Sequence, residues 1–282
     1  MRDVPQPATT GYAPVQGGEL YYEAAGDGPA VLLFHAGIAD LTMWDAQVAA
    51  LAPSYRVVRF DCRGFGRSHT APVPFSNRQD AIDLLDHLGI GQAALVGCSR
   101  GGEIALDLAL ERPERVRGLV WVCSGVGGWG PPDAIFHPDE IALWEAMEAA
   151  EAAGDHERVA ALDVRLWVDG PLQPEGRADA AVRQQVYAMA LNNYRAHAHL
   201  FGEGLAPQPL DPPAHGRLGE LRAPVLAIVG ELDASATAAA AEVLAAGAPA
   251  CRVERLADCA HLPNLERPER FNELLLGFLA AL

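Results

Sequence analysis

From Val31 to Cys123 the chain alternates between short, unbroken apolar runs and stretches whose apolar residues recur with a helical period. Val31-Leu32-Leu33-Phe34, Arg56-Val57-Val58-Arg59-Phe60, the run into Leu95-Val96-Gly97, and Gly118-Leu119-Val120-Trp121-Val122-Cys123 read as strands. Runs without polar alternation fit strands covered on both faces, as in a parallel sheet. Between them, Met43 to Leu51, Arg78 to Leu88 and Glu103 to Leu110 predict helices; the second carries Ile82, Leu85 and Leu88 on one face. Ahead of these, Glu19-Leu20-Tyr21-Tyr22-Glu23 is bounded by glycines and predicts part of a β-hairpin.

The rhythm then changes. Between about Gly125 and Arg222 the pattern offers no strand and predicts three helices, at Asp139–Ala153, Glu157–Val168 and Ala178–Leu200. Alternation resumes with a strand at Pro224–Val229, a helix near Thr237–Ala246, a strand at Cys251–Leu256 and a closing helix from Glu269 to Leu282. The reading is an α/β fold: a mostly parallel central sheet flanked by helices, with an α-helical cap inserted into it. Residues 1–125 and 223–282 form the two parts of the core, and residues 126–222 the cap.

One segment carries chemistry by itself. In Leu95-Val96-Gly97-Cys98-Ser99-Arg100-Gly101-Gly102 an apolar strand runs through Gly-x-Ser-x-Gly into a helix. That pattern predicts a strand-to-helix turn so sharp that small residues must flank a strained, exposed serine. A serine hydroxyl needs a base to take its proton, usually a histidine oriented by a carboxylate. In open α/β sheets such groups lie at the C-terminal ends of strands. Asp233 follows the Val225–Val229 run and His261 follows the Cys251–Leu256 run, giving the chain order Ser99, Asp233, His261. Glu231 and Asp258 are the neighbouring acids that compete with Asp233 for the carboxylate role.

Composition narrows the rest. The formal charge of −16 argues against nucleic acid and anionic membranes as partners. No lysine occurs among the 21 basic residues, so lysine Schiff-base chemistry and a P-loop are excluded. Five cysteines without a Cys-x-x-Cys pair indicate neither a disulfide framework nor a zinc site. No apolar run reaches membrane-spanning length and Met1–Pro5 opens no signal sequence, so a cytoplasmic protein is expected. Neither a metal nor a cofactor is called for, and a homodimer stays open.

Taken together, His35-Ala36-Gly37-Ile38, Met43-Trp44, Asp61-x-Arg63-Gly64-x-Gly66-x-Ser68, Gly97-x-Ser99-x-Gly101-Gly102, Gly230-Glu231-x-Asp233 and His261-Leu262-Pro263-Asn264-Leu265-Glu266-x-Pro268-Glu269-x-Phe271 resemble the α/β-hydrolase superfamily. Asp40–Val48 and Phe60–Gly64 are most similar to its 3-oxoadipate enol-lactonase and carboxylesterase branch. Ala36, Arg100 and Cys259-Ala260 depart from that branch. The resemblance implies a serine hydrolase of carboxylic esters or lactones, with the backbone N–H groups of Gly37 and Arg100 as oxyanion hole. It implies a structural role for the Asp61–Ser68 turn. Carbon–carbon bond hydrolysis of a β-diketone-like substrate, and a non-catalytic small-ligand sensor on the same fold, are the alternatives.

Several features invite a functional reading that their context opposes. Gly125-x-Gly127-Gly128-x-Gly130 matches a dinucleotide-binding pattern, but Pro131-Pro132 follows and no helix opens there. His197 and His199 would point about 200° apart on a helix, so solvated side chains are expected rather than a metal pair. Cys98 adjoins the serine and reads as a small core residue. Of the cap's large side chains, Trp144, Met147, Trp167, Tyr187, Met189 and Tyr194 are assigned to its own core. Trp129 and Phe136, in the Gly- and Pro-rich approach to the cap, are the candidates for a substrate pocket. The Arg100 side chain is expected to pair with an acidic cap residue, the competing role being a substrate carboxylate.

Overall fold

The computed structural model describes residues 9–202 and 207–282, the backbone alone for 198–202. Its strands are β1 (Thr9–Val15), β2 (Gly18–Ala25), β3 (Ala30–Phe34), β4 (Arg56–Phe60), β5 (His69–Thr70), β6 (Ala93–Cys98), β7 (Val116–Val122), β8 (Val225–Gly230) and β9 (Cys251–Leu256). They form one sheet in the order β1-β2-β4-β3-β6-β7-β8-β9, with β5 beside β2. The hairpin β1–β2 and the pair β2–β4 are antiparallel, and every pairing from β4 to β9 is parallel. β6 and β8 are buried at every position, which is why their sequences are apolar throughout rather than alternating.

The helices are α1 (Asp45–Leu51), α2 (Asn77–His87), α3 (Arg100–Glu111), α4 (Pro138–Ala152), α5 (His156–Asp163), α6 (Ala180–Gly202), α7 (Ser235–Gly247), α8 (Pro263–Glu266) and α9 (Pro268–Leu279). Two apolar layers cover the sheet. Leu84, Leu106, Leu108 and Leu244 pack on one face, and Trp44, Val48, Phe271 and Leu275 on the other. Between β7 and β8 no named strand occurs among the described residues, and α4, α5 and α6 fill that segment. A separate cluster of Met147, Ala150, Val159, Leu162 and Leu166 gives the segment an apolar centre of its own.

Two local differences from the sequence reading matter for the site. Met43 and Trp44 end a 3₁₀ turn, Leu41–Trp44, ahead of α1, and the Asp40 side chain caps that turn. The helix expected over Glu157–Val168 changes winding at Val164, and Val164–Asp169 forms a π-helical turn. Such wide turns arise where a helix must accommodate something its regular winding would exclude, and they are frequent at functional sites.

Candidate active site

The turn from β6 to α3 has the geometry its sequence predicts. Ser99 sits at φ 54°, ψ −125°, a conformation few side-chain-bearing residues adopt. The flanking glycines are a steric requirement. A β-carbon on Gly97 would lie 2.2 Å from the Gly101 carbonyl oxygen, and one on Gly101 would lie 2.4 Å from that of Phe34. The Ser99 amide donates to the Val122 carbonyl at 2.9 Å, and the Ser99 carbonyl accepts the Ser124 hydroxyl at 2.5 Å. The serine is thereby tied to β7 from both sides.

Asp233 and His261 meet across the C-terminal ends of β8 and β9. His261 Nδ1 lies 2.9 Å from Oδ1 and 2.8 Å from Oδ2 of Asp233, with side chains 5% and 1% exposed. One carboxylate oxygen also accepts the Ala234 N–H at 2.7 Å. The loops are joined by the Leu232 amide, which donates to the Cys259 carbonyl at 3.0 Å. Of the competing acids, Glu231 is exposed, and Asp258 takes a left-handed turn at φ 56°. Its carbonyl accepts Arg177 at 3.0 Å and Arg267 at 2.8 Å. Arg177, which comes from the segment between β7 and β8, also pairs with Glu266, and Glu266 accepts the Ala260 N–H at 2.8 Å.

Gly37 lies on the loop after β3, beside the start of α3. A β-carbon there would sit 3.8 Å from Cβ of Arg100. His35 fixes this loop. It accepts the Cys62 amide at Nε2 at 2.9 Å, leaving Nδ1–H to donate to the Ala36 carbonyl at 2.8 Å. Burial pushes His35 down to about 4, so it is neutral at physiological pH. The Arg100 amide is the first of α3 and has no acceptor within its helix. Asp61 ties the Asp61–Ser68 turn together, accepting Leu41 N–H at 2.9 Å and Arg67 N–H at 2.8 Å, while Arg63 grips Asp80 through two hydrogen bonds of 2.9 and 2.6 Å.

Ser99, Arg100 and His261 line one cavity of about 410 Å³, together with Ser124, Trp129, Trp167 and Thr237. Trp129 is therefore where the sequence reading places it, but Phe136 is not among the lining residues. The chain turns away through Pro131–Pro132 and the 3₁₀ turn Asp133–Ile135 before Phe136 is reached. Trp167 is the residue that reading assigns to the cap core alone. It does meet Trp144 edge-on at 5.2 Å, yet its indole also lies 4.3 Å from the His261 ring. Its carbonyl accepts the His261 backbone N–H at 3.0 Å. The π-helical turn aims both groups at the histidine, and nothing in the local sequence announces that turn.

The Arg100 side chain also departs from expectation. Among the described residues it forms no ion pair with a cap acid. Its Nη2 donates to Asn77 at 3.3 Å and its guanidinium lies over the Phe65 ring at 4.8 Å. His197 is half-buried, its Nε2 lying 3.1 Å from the Gly66 carbonyl, and the side chain of His199 lies outside the described residues. Cys98 is fully buried, as expected.

Residues 29–268 match the α/β-hydrolase fold family. The chain belongs to that family. It is 32% identical to a 2-hydroxy-6-oxononadienedioate/2-hydroxy-6-oxononatrienedioate hydrolase of Burkholderia vietnamiensis, over 92% of this chain and 90% of the relative. It is 28% identical to 3-oxoadipate enol-lactonase 1 of Acinetobacter baylyi, over 90% of each chain. Among solved structures, the thermophilic esterase of Thermogutta terrifontis superposes with a TM-score of 0.78 at 26% identity, over 97% of this chain and 99% of that one. The chain is thus an α/β hydrolase whose relatives are named for different substrates. No helix among its described residues is long and apolar enough to cross a membrane.

Proposed function

We propose that the protein is a serine hydrolase of carboxylic esters or lactones that works through an acyl-enzyme. The observation that carries this reading is the pairing of His261 Nδ1 with both Asp233 oxygens, His261 lining the same cavity as the strained Ser99. In this mechanism Ser99 Oγ attacks the ester carbonyl carbon and its proton passes to His261 Nε2. The N–H groups of Gly37 and Arg100 hold the oxyanion. Asp233 keeps the imidazole in the working tautomer and stabilises the imidazolium. The same proton then goes to the leaving alkoxide; a water deprotonated by His261 attacks the acyl-enzyme, and His261 returns that proton to Ser99 Oγ as the acyl bond breaks and the acid is released.

Enol-lactonase and esterase relatives support the ester and lactone reading. Similarity to the 2-hydroxy-6-oxononadienedioate hydrolase supports a second one, carbon–carbon bond hydrolysis of a diketone-like substrate by the same residues. A panel of aryl esters, lactones and β-diketones separates the two, with an aryl phosphonate to label the nucleophile. Labelling and ester turnover are expected in the wild type and lost in Ser99→Ala, where kcat should fall by about 10⁴-fold or more. Diketone cleavage without ester cleavage would replace the first reading by the second, and labelling of Ser99→Ala would remove Ser99 from the mechanism.

A further inference from the structure

The cavity that holds Ser99 has an acid in its wall that the mechanism does not use. Glu103 stands one turn beyond the nucleophile on α3, its amide donating to the Ser99 carbonyl at 3.2 Å. It lines the catalytic cavity and the adjoining cavity of about 330 Å³, which also share Arg100, Gly127 and Gly128. Its carboxylate makes no hydrogen bond or ion pair among the described residues. It rests against the glycine-rich strip that resembled a dinucleotide loop. A β-carbon on Gly127 would lie 3.3 Å from Oε1, and one on Gly125 would lie 3.7 Å from Oε2. The strip's bareness is what leaves the carboxylate room at the cavity wall.

The cationic side chain nearest to hand does not neutralise it. The Arg100 guanidinium donates from Nη2 to Asn77 and lies over Phe65, while its Nη1 is buried, with no hydrogen-bond partner among the described residues. In the adjoining cavity Asp107 faces Arg78 at 3.9 Å, and Arg78 is itself committed to Glu111 at 3.1 Å. Glu103 therefore brings a negative charge without an ion-pair partner to the wall of the catalytic cavity, beside Arg100, within a chain of net charge −16. Glu103 is exposed at the cavity wall, and the partial desolvation there raises its carboxyl above the ordinary range, with Arg100 opposing that rise.

We propose that Glu103 is a specificity-determining residue that favours substrates carrying an ammonium group and disfavours those carrying a carboxylate. This rests on the ester-hydrolase reading and sets the protein apart from relatives whose names denote dianionic substrates. An ammonium would give Glu103 the ion-pair partner it lacks, whereas a carboxylate would bring like charge beside it.

The test uses two series of aryl esters of equal length, charged on the acyl or on the alcohol side, each ending in methyl, ammonium or carboxylate. In at least one series kcat/KM for the ammonium ester should exceed that for the carboxylate ester by about tenfold or more, on the scale of a hydrogen bond to a charged group. Glu103→Gln, nearly isosteric, should collapse that ratio severalfold, and added salt should shrink it in the wild type. A ratio near one in both series, a carboxylate preference, or a ratio untouched by Glu103→Gln overturns the proposal. Calorimetric titration of the same uncleaved esters into Ser99→Ala reads the selectivity as Kd. Failure of ester turnover and failure of charge selection are thereby told apart.

Discussion

Asp163 offers a quantitative test of how the segment above the site is held. Its carboxyl is 2% exposed, accepts the Tyr194 hydroxyl at 2.6 Å, and has no cationic partner among the described residues. Burial pushes it up to about 7 from an ordinary 3.8, against the opposing pull of the Tyr194 hydroxyl and the Trp167 indole N–H. The sign follows from linkage. Because the folded value lies above the unfolded one, the unfolded chain releases its proton first, and stability falls as pH rises from about 4 to about 7. Asp163→Asn keeps an acceptor for Tyr194 and removes the ionisation. Between pH 5 and pH 7 the shift covers two units at about 1.4 kcal/mol each, so the wild type should lose on the order of 3 kcal/mol by pH 8 that the variant retains. For a chain of this size that is roughly 5–10 °C in Tm. Calorimetric melting of both proteins at pH 5 and pH 8 measures it: the variant's advantage should be several degrees larger at pH 8. An equal difference at the two pH values would show that Asp163 does not titrate there and would refute the reasoning.

Asp233→Asn should lower kcat by roughly 10³–10⁴-fold, as expected when a histidine loses its orienting carboxylate, whereas Glu231→Gln should leave most of the rate; steady-state assays of the pair decide which acid serves His261. Gly101→Ala should yield little folded protein, since the new methyl falls 2.4 Å from the Phe34 carbonyl oxygen; soluble yield and circular dichroism check this. Arg100→Met should depress turnover of acidic and neutral esters alike, because the guanidinium is held by Asn77 and Phe65. A loss confined to acidic esters would return the arginine to the role of carboxylate anchor.

The parts of the fold that were legible in the sequence are those whose signal is local. β3, β6, β7 and β8 are buried on both faces, so their composition alone marks them, and Asp233 could be placed because it follows one of them; His261 follows β9, which is largely exposed or half-buried and is marked instead by its place after the preceding helix. The elbow at Ser99 was legible because sterics allow only glycine at Gly97 and Gly101. What stayed hidden depends on partners distant in sequence. β5 has two residues and exists only as a partner of β2. Trp167 looks like any apolar residue of a helix until a π-helical turn rotates it onto His261, far along the chain. The sequence suggests a carboxylate partner for Arg100, whereas its guanidinium meets the Phe65 ring and the Asn77 amide, both set by the fold. Phe136 is close to Trp129 in sequence yet lies off the cavity that Trp129 lines, because the Asp133–Ile135 turn comes between them.

The hydrogen bond from the His261 amide to the Trp167 carbonyl has a consequence for how this architecture can diversify. Segments inserted between β7 and β8 look interchangeable, since they join the sheet at only two points in sequence. Here the inserted segment supplies a backbone acceptor, a ring against the imidazole, and Arg177 as a brace for the same loop. A transplanted segment with a perfect pocket but no carbonyl at that position would leave His261 unsupported on one side. A module exchanged only to change what the site accepts would, in this chain, also remove part of the scaffolding of His261, so such an exchange would require re-anchoring the histidine as well.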